Sequence, residues 1–409
     1  MTNCSRSADS TTGYSNCSTP QWQTATALWR ADAGLVDGEV AGTTRRAARG
    51  QAGYLLRLAA IVFAPIVLGG CYAGYIARAA YQEGRILWNR KPIDDALARG
   101  DLPADIRAKL ETVLAVRKFA AEELGLNVGG AYQSIAPVDR SAVVHVLMAA
   151  PRDSLEPYTW WFPIVGRVPY RGYFDESDAT AEAAALEAQG LDTMVRPAVA
   201  FSSLGFFSDP LLTNLLKLDR VELAGVIIHE LFHRTYYLAG NAMFDESAAN
   251  YAGSAGAVAF FAATDGESAP ATIAARGILE SDFRFARFLL QEQARLLDIY
   301  MAKPPKDDLD KRREAAFAAI KADYAALTPS LSGLERFDLD KQPLNNAVLV
   351  NYLIYFHDLD NFAALDRMNH GDLCATIAQI ISIAKAHPYD PFYAIWEATR
   401  AAPALSGGS

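Results

Sequence analysis

The sequence predicts an α+β fold that is mostly α, with a small mixed sheet packed against one buried helix. Three observations predict it. Apolar residues recur at helical spacing through most of the chain, as at Leu110, Val113, Leu114, Val116, Phe119 and Leu124. Strand character is confined to a few short runs, the best being Ser141–Ala149 and Thr193–Phe201. Residues 226–234 read Val-Ile-Ile-His-Glu-Leu-Phe-His-Arg, an HExxH embedded in apolar residues.

That motif predicts a zincin-like catalytic domain. On a helix, positions i and i+4 share a face, so the imidazoles of His229 and His233 can hold one zinc ion together. Glu230 then lies beside the metal, placed to take a proton from water. A chance HExxH in a chain of this length has a probability on the order of 1%. Histidine is scarce here, with six in all, and two of the six fall at ligand spacing around a glutamate.

From the N-terminus, residues 1–50 are rich in Ser, Thr, Ala and Gly and are expected to be a disordered or untranslated extension. Arg45, Arg46, Arg49 and Arg57 then precede an uncharged stretch from Leu58 to Ala77. Basic residues before an apolar core make a signal-peptide layout. The core closes on Leu68-Gly69-Gly70-Cys71, which resembles a bacterial lipobox with Cys71 as the lipidated residue. An uncleaved membrane anchor and a soluble helix are the competing readings. Either anchored reading places residues 78–409 outside the cytoplasm, at the cell envelope.

The body is expected to begin with helices at Ala77–Leu87, Ile93–Arg99 and Pro103–Leu124, closed by Gly125 and the Gly129-Gly130 pair. The strand Ser141–Ala149 carries His145, read as a packed histidine. Tyr158–Phe174, rich in aromatics and proline, is a pair of short strands or a loop. Ala179–Gln189 is a helix, and Thr193–Phe201 a second strand. Val199–Phe206, including Gly205, is the candidate edge strand for a substrate backbone, with a plain core-covering hairpin as its alternative. The chain is helical from Leu215 onward, with long helices at Ser281–Tyr300 and Pro305–Leu327 and a possible helical lobe from about residue 275.

Composition narrows the partners. Net charge is −9 and no Lys/Arg stripe carries interleaved aromatics, so nothing favours nucleic acid. The cysteines at 4, 17, 71 and 374 form no metal ribbon and no CxxC pair.

A catalytic zinc takes a third protein ligand. The metzincin pattern would need histidine at 239 and glycine at 236, and the chain has Ala239 and Tyr236 there. Downstream, Gly240-Asn241 reads as a helix stop. Asp245 follows as a candidate N-cap for a second helix, with Glu246 in its first turn. Glu246 is the candidate third ligand and Asp245 the alternative. The second helix is rich in small residues from Ala248 to Ala257, which lets it approach the first closely.

At this point the chain resembles a bacterial aminopeptidase family, gluzincin-like and often lipoproteins, in which HExxH is followed by Asn-Glu-x-x-Ala. The resemblance covers roughly residues 68–390. It is carried by Leu68-Gly69-Gly70-Cys71-Tyr72, Arg90-Lys91-Pro92-Ile93, Trp160-Trp161-Phe162-Pro163, Tyr170-Arg171-Gly172-Tyr173-Phe174, Phe201–Pro210, and Asn345-Asn346-Ala347 with Tyr355 and Phe362. The resemblance implies Glu246 as ligand, because the family has Asn where this chain has Asp245. It also implies a disulfide in relatives that carry Cys at the positions of Trp161 and Arg167. This chain departs further at Arg234, usually Gln, and at Gly253, usually Glu.

The expected function is therefore zinc-assisted hydrolysis of a peptide bond. His229, His233 and Glu246 hold the metal and Glu230 acts as base; Tyr355, which matches a family position, is the candidate oxyanion donor with a buried core tyrosine as its alternative, and His357 is a weaker candidate. Arg171 is a candidate substrate contact, with a structural ion pair as its alternative. Exopeptidase and endopeptidase readings both stand. Two rivals remain: tailoring of a peptide-like metabolite and a non-catalytic envelope scaffold.

Overall fold

The structure is a computed structural model that describes residues 81, 84–138, 144–162, 165–198, 208–333, 337, 339 and 343–401. Cys71, Gly205 and the candidate edge strand Val199–Phe206 lie outside the described residues. Residues from Asn89 onward belong to one compact unit, and the helical turn at 84–88 belongs to another. No helix among the described residues is long and apolar enough to cross a membrane.

The fold is mostly helical with small sheets. It starts with strand β1 (Lys91–Pro92) and helices α1 (Ile93–Leu97) and α2 (Ala104–Glu122). Strands follow as β2 (Ser134–Ala136), β3 (Val144–Pro151), β4 (Trp160–Phe162), β5 (Gly166–Val168) and β6 (Tyr170–Tyr173). Helix α3 (Glu176–Glu187), strand β7 (Leu191–Ala198) and strand β8 (Leu211–Leu212) lead into α4 (Arg220–Thr235), which carries HExxH. Helices α5 (Ala242–Thr264), α6 (Pro270–Met301), α7 (Lys306–Leu327), α8 (Asn346–Phe356), α9 (Leu359–Met368), α10 (Leu373–Ala386) and α11 (Pro391–Ala401) complete the body.

The principal sheet has the order β6-β3-β7 and is antiparallel throughout. The mixed one is a minor sheet, β1-β2-β8, with β2 antiparallel to β1 and parallel to β8. The expectation set the sheet on the HExxH helix. The principal sheet instead packs on α3 and on α8, and α4 is flanked by α2 and α5. This follows from the burial of α4: Leu223, Ala224, Ile227, Ile228, Leu231 and Phe232 are fully buried, which needs apolar helices on more than one side.

In β4–β5, Trp161 stands directly opposite Arg167. These are the two positions at which the resemblance implied a disulfide in relatives, and cross-strand neighbours are close enough for one. Helix α6 begins eleven residues before the expected Ser281, because Pro270 opens it with a ring already fixed at helical φ. It runs unbroken past residue 275.

Candidate metal centre and the groups around it

Helix α4 starts where Asp219 caps it. The Asp219 carboxylate accepts from the backbone N–H of Val221 at 2.8 Å and Glu222 at 2.9 Å, and Glu222 reaches back to the Asp219 N–H. This fixes the helix phase, so Gly225, His229 and His233 form one stripe. After Thr235 the chain turns at Gly240, whose φ of +85° suits a residue without a side chain. Asn241 then caps α5 by accepting from Phe244 N–H at 3.3 Å.

The N-cap expected at Asp245 is thus Asn241, and Glu246 sits one turn deeper in α5 than expected. Asp245 is engaged elsewhere. Its Oδ1 accepts the Leu238 N–H at 2.8 Å, which holds the loop between the two helices. Burial raises the Asp245 carboxyl to about 8, against the pull of that N–H and of His233. Asp245 lies outside the group of side chains able to hold a metal.

That group is His229, His233 and Glu246. His229 Nε2 and His233 Nε2 are 3.1 Å apart, and Glu246 Oε2 lies 3.3 Å from each. A tetrahedral zinc with ligand bonds of about 2.0–2.1 Å requires ligand-to-ligand separations of about 3.3 Å. Two imidazoles and one carboxylate with a fourth position left open is also the donor set of catalytic zinc. The residues therefore fit the ion.

The helices approach closely enough to make this triangle because they meet through glycine. A Cβ on Gly253 would fall 2.7 Å from the Gly225 carbonyl oxygen and 3.2 Å from His229 Cβ. Gly253 is two turns beyond Glu246 on the same face, so the small stripe and the ligand share one seam.

The groups of the triangle shift one another strongly. Burial pushes the His233 imidazolium down, but Glu246, with Glu230 and Asp245 behind it, raises it to about 9. Burial pushes Glu246 up, and the two histidines outweigh this to hold it far below the usual carboxylate range. Glu230 occupies the adjacent α4 position, and its carboxyl interacts with the same three residues. Burial raises its carboxyl, His229 and His233 oppose, and Glu246 and Asp209 add to the rise. A carboxylate raised in this way is a better proton acceptor near neutral pH.

The structure also brings Tyr355 to the site. Its ring lies over His229, centroids 6.3 Å apart and inclined 23°. Ser247, next to Glu246, sets this placement: its hydroxyl donates to the Ile354 carbonyl at 2.8 Å and accepts the His357 N–H at 3.0 Å. His357 itself turns away, with its ring against Phe392. His145 stays in β3, opposite Tyr173 and Pro197.

Arg171 is not brought to the metal. It pairs with Glu182 of α3 at 3.0 Å, and the Tyr173 hydroxyl donates to the same carboxylate. Successive strand residues face opposite ways. The site therefore receives the preceding residue, Tyr170, whose hydroxyl donates to Glu246 Oε1 at 3.1 Å. Arg196 is the second group the sequence did not reveal. It extends from β7 to Asn351 Oδ1 at 2.8 Å and to the Tyr355 hydroxyl at 3.2 Å.

The chain matches the family described as "Putative aminopeptidase" over residues 74–390. It belongs to that family. The match spans both helices of the seam, the principal sheet and α8, so His229, Glu230, His233, Glu246, Tyr170, Arg196 and Tyr355 all lie within it. No curated protein and no solved structure matches the chain. The family name supports a peptidase acting on peptides.

Proposed function

We propose that the chain is a zinc-dependent peptidase of the gluzincin-like, zincin-fold kind, held at the extracytoplasmic face of a membrane through lipid on Cys71. The convergence of His229, His233 and Glu246 at 3.1–3.3 Å, with Glu230 beside them, carries this reading. These three residues would hold the ion. When bound, zinc supplies positive charge that polarises a scissile carbonyl and acidifies water.

The chain's own groups do the rest. Glu230 takes a proton from the attacking water and delivers it to the leaving amine nitrogen. Tyr355 donates to the carbonyl oxygen as charge builds there. Tyr170 holds the second oxygen of Glu246, so that only Oε2 faces the histidines. The family description favours release of an N-terminal residue, which needs a free α-amine on the substrate.

Metal content and turnover test the reading together. Purified protein is expected to hold about one zinc per chain and to cleave members of a peptide panel, with N-terminally acetylated members resistant. Glu230→Gln is expected to keep the zinc and lose the turnover. Stoichiometric zinc with no cleavage anywhere in the panel would refute hydrolysis, and cleavage of acetylated peptides would refute the aminopeptidase form. Incorporation of labelled lipid that depends on Cys71 checks the anchor.

A further inference from the structure

Among the described residues, the phenols of Tyr170, Tyr237 and Tyr355 all feel the charge of Glu246, and they are not equivalent. Tyr170 donates to Glu246 Oε1 at 3.1 Å, and Tyr237 donates to the Val165 carbonyl at 3.3 Å. Their protons are committed. Tyr355 has Arg196 Nη2 as its partner, at 3.2 Å. A guanidinium has donors and no acceptor. The Tyr355 oxygen must therefore accept this bond, and its own proton must point elsewhere. Among the described residues no acceptor takes it. Its ring lies over that of His229, one of the candidate metal ligands.

Arg196 is itself held from behind. Its Nε donates to Asn351 Oδ1 at 2.8 Å, and Asn351 lies one turn before Tyr355 on α8. The guanidinium also lies 5.8 Å from the centre of the Tyr355 ring. Asn351, Arg196 and Tyr355 thus form a directed chain: amide oxygen, guanidinium, phenol oxygen, phenol proton. Each link permits only one direction of donation.

We infer that Arg196 is the positioning residue for the oxyanion donor. It occupies the acceptor side of the Tyr355 hydroxyl with a charge-assisted bond and leaves the phenol one role, donation to an oxygen at the open position. As negative charge grows on that oxygen, the Tyr355 dipole is already aligned and needs no reorientation. This inference rests on the hydrolytic reading above and assigns a residue that motif spacing did not reveal.

The test compares Arg196→Gln, Tyr355→Phe and the double variant as zinc-loaded proteins. The probes are alanyl- and leucyl-methylcoumarylamides and a phosphinic dipeptide that mimics the tetrahedral state. Each single variant is expected to lower kcat by about 10–100-fold with KM within about threefold, because the lost bond matters only once charge has formed. The double variant is expected to fall no further than the lower single, and zinc content to stay the same in all. Calorimetric affinity for the phosphinic dipeptide should drop by the same factor as kcat.

A raised KM at unchanged kcat would make Arg196 a ground-state substrate anchor and overturn the inference, as would additive losses in the double variant. If Arg196→Gln does not fold, Asn351→Leu carries the test. Its kcat loss must vanish in the Tyr355→Phe background, and persistence there overturns the inference. If the wild type binds zinc but cleaves no amide, the hydrolytic reading falls by itself. The inference is then read from the phosphinic dipeptide: equal, non-additive weakening supports it and unchanged affinity overturns it.

Discussion

Strand β7 and helix α8 each carry one buried polar cluster at one end and a second at the other, and the two clusters obey opposite rules. At the first, Asp192 takes Arg313, Arg152 at 3.3 Å and the Asn346 N–H at 3.0 Å. Asn346 in turn donates to the carbonyls of Pro151 and Ser154 and accepts from Tyr300 at 2.6 Å. Every charge there meets its opposite. At the other end, Arg196 and Tyr355 border a group that converges on one point: two imidazole nitrogens and a carboxylate oxygen, 3.1–3.3 Å apart. A buried group of this kind needs positive charge on or between its members, and the raised His233 shows that demand. A polar cluster that closes on itself holds the fold, and one that converges on a point is built for something else.

The strongest way to break this contrast is at Glu230, which belongs to the converging cluster but not to its ligands. Glu230→Gln is expected to lower kcat by up to about 10⁴-fold while zinc content and denaturation midpoint stay as in the wild type. Metal analysis beside peptide turnover checks it. A variant that lost zinc would show Glu230 to be structural, and the two clusters would then differ less than their geometry says.

The self-contained cluster should give the reverse pattern. Asp192→Ala leaves Arg313, which is 3% exposed, without its partner. The expected cost is about 3–5 kcal/mol of unfolding free energy, the range for a buried pair broken on one side. Urea titration measures it. Zinc bound per folded chain is expected to be unchanged, and a proportionate loss of zinc would couple the clusters through β7 and α8.

The sequence exposed these two clusters unequally. His229, Glu230 and His233 are readable because helical spacing alone puts them together. Glu246 was within reach, since only a short turn separates the helices. Tyr170 was hidden by phase: in a four-residue strand, nothing local says which of Tyr170 and Arg171 faces inward, and the charged residue drew the functional reading. Arg196, Asn351 and the Asp192–Arg313 pair were out of reach because their partners lie over a hundred residues away in the chain. The N-cap moved from Asp245 to Asn241 because Asn241 accepts the Phe244 N–H while Asp245 is held on the Leu238 N–H across the turn. Helices and short strands were placed well by periodicity, but periodicity could not say that α3 and α8, and not α4, support the principal sheet.

A third intervention acts on the seam that brings the ligands together. In Gly253→Ala the added carbon meets the Gly225 carbonyl oxygen at 2.7 Å, a backbone atom unable to swing aside. The helices must part by several tenths of an ångström. Overpacking of this kind is expected to cost about 1–3 kcal/mol. Because Glu246 and His229 lie on opposite sides of the seam, zinc affinity should fall together with the unfolding free energy. Lost stability with unchanged affinity would show that the ligand triangle tolerates a wider helix spacing.

The smallest effect expected is at Tyr170, and it sharpens the contrast most finely because Tyr170→Phe removes a single oxygen. Among the described residues, its hydroxyl makes the one hydrogen bond that ties the principal sheet to a candidate metal ligand, through Glu246 Oε1 at 3.1 Å. Partners of this kind are worth about 10–100-fold in metal affinity, and the low end applies where water from the open position can replace the lost donor. A fall of about tenfold in zinc affinity is therefore expected, with no change in urea midpoint for the metal-free chain. Competition with a chromophoric chelator measures the first and denaturation the second. In Asp192→Ala the same two measurements should come out the other way round, with the midpoint moved and the affinity kept. If Tyr170→Phe instead lowers the metal-free midpoint, the Tyr170–Glu246 bond is part of the self-contained framework, and the boundary between the two clusters runs through Glu246 itself.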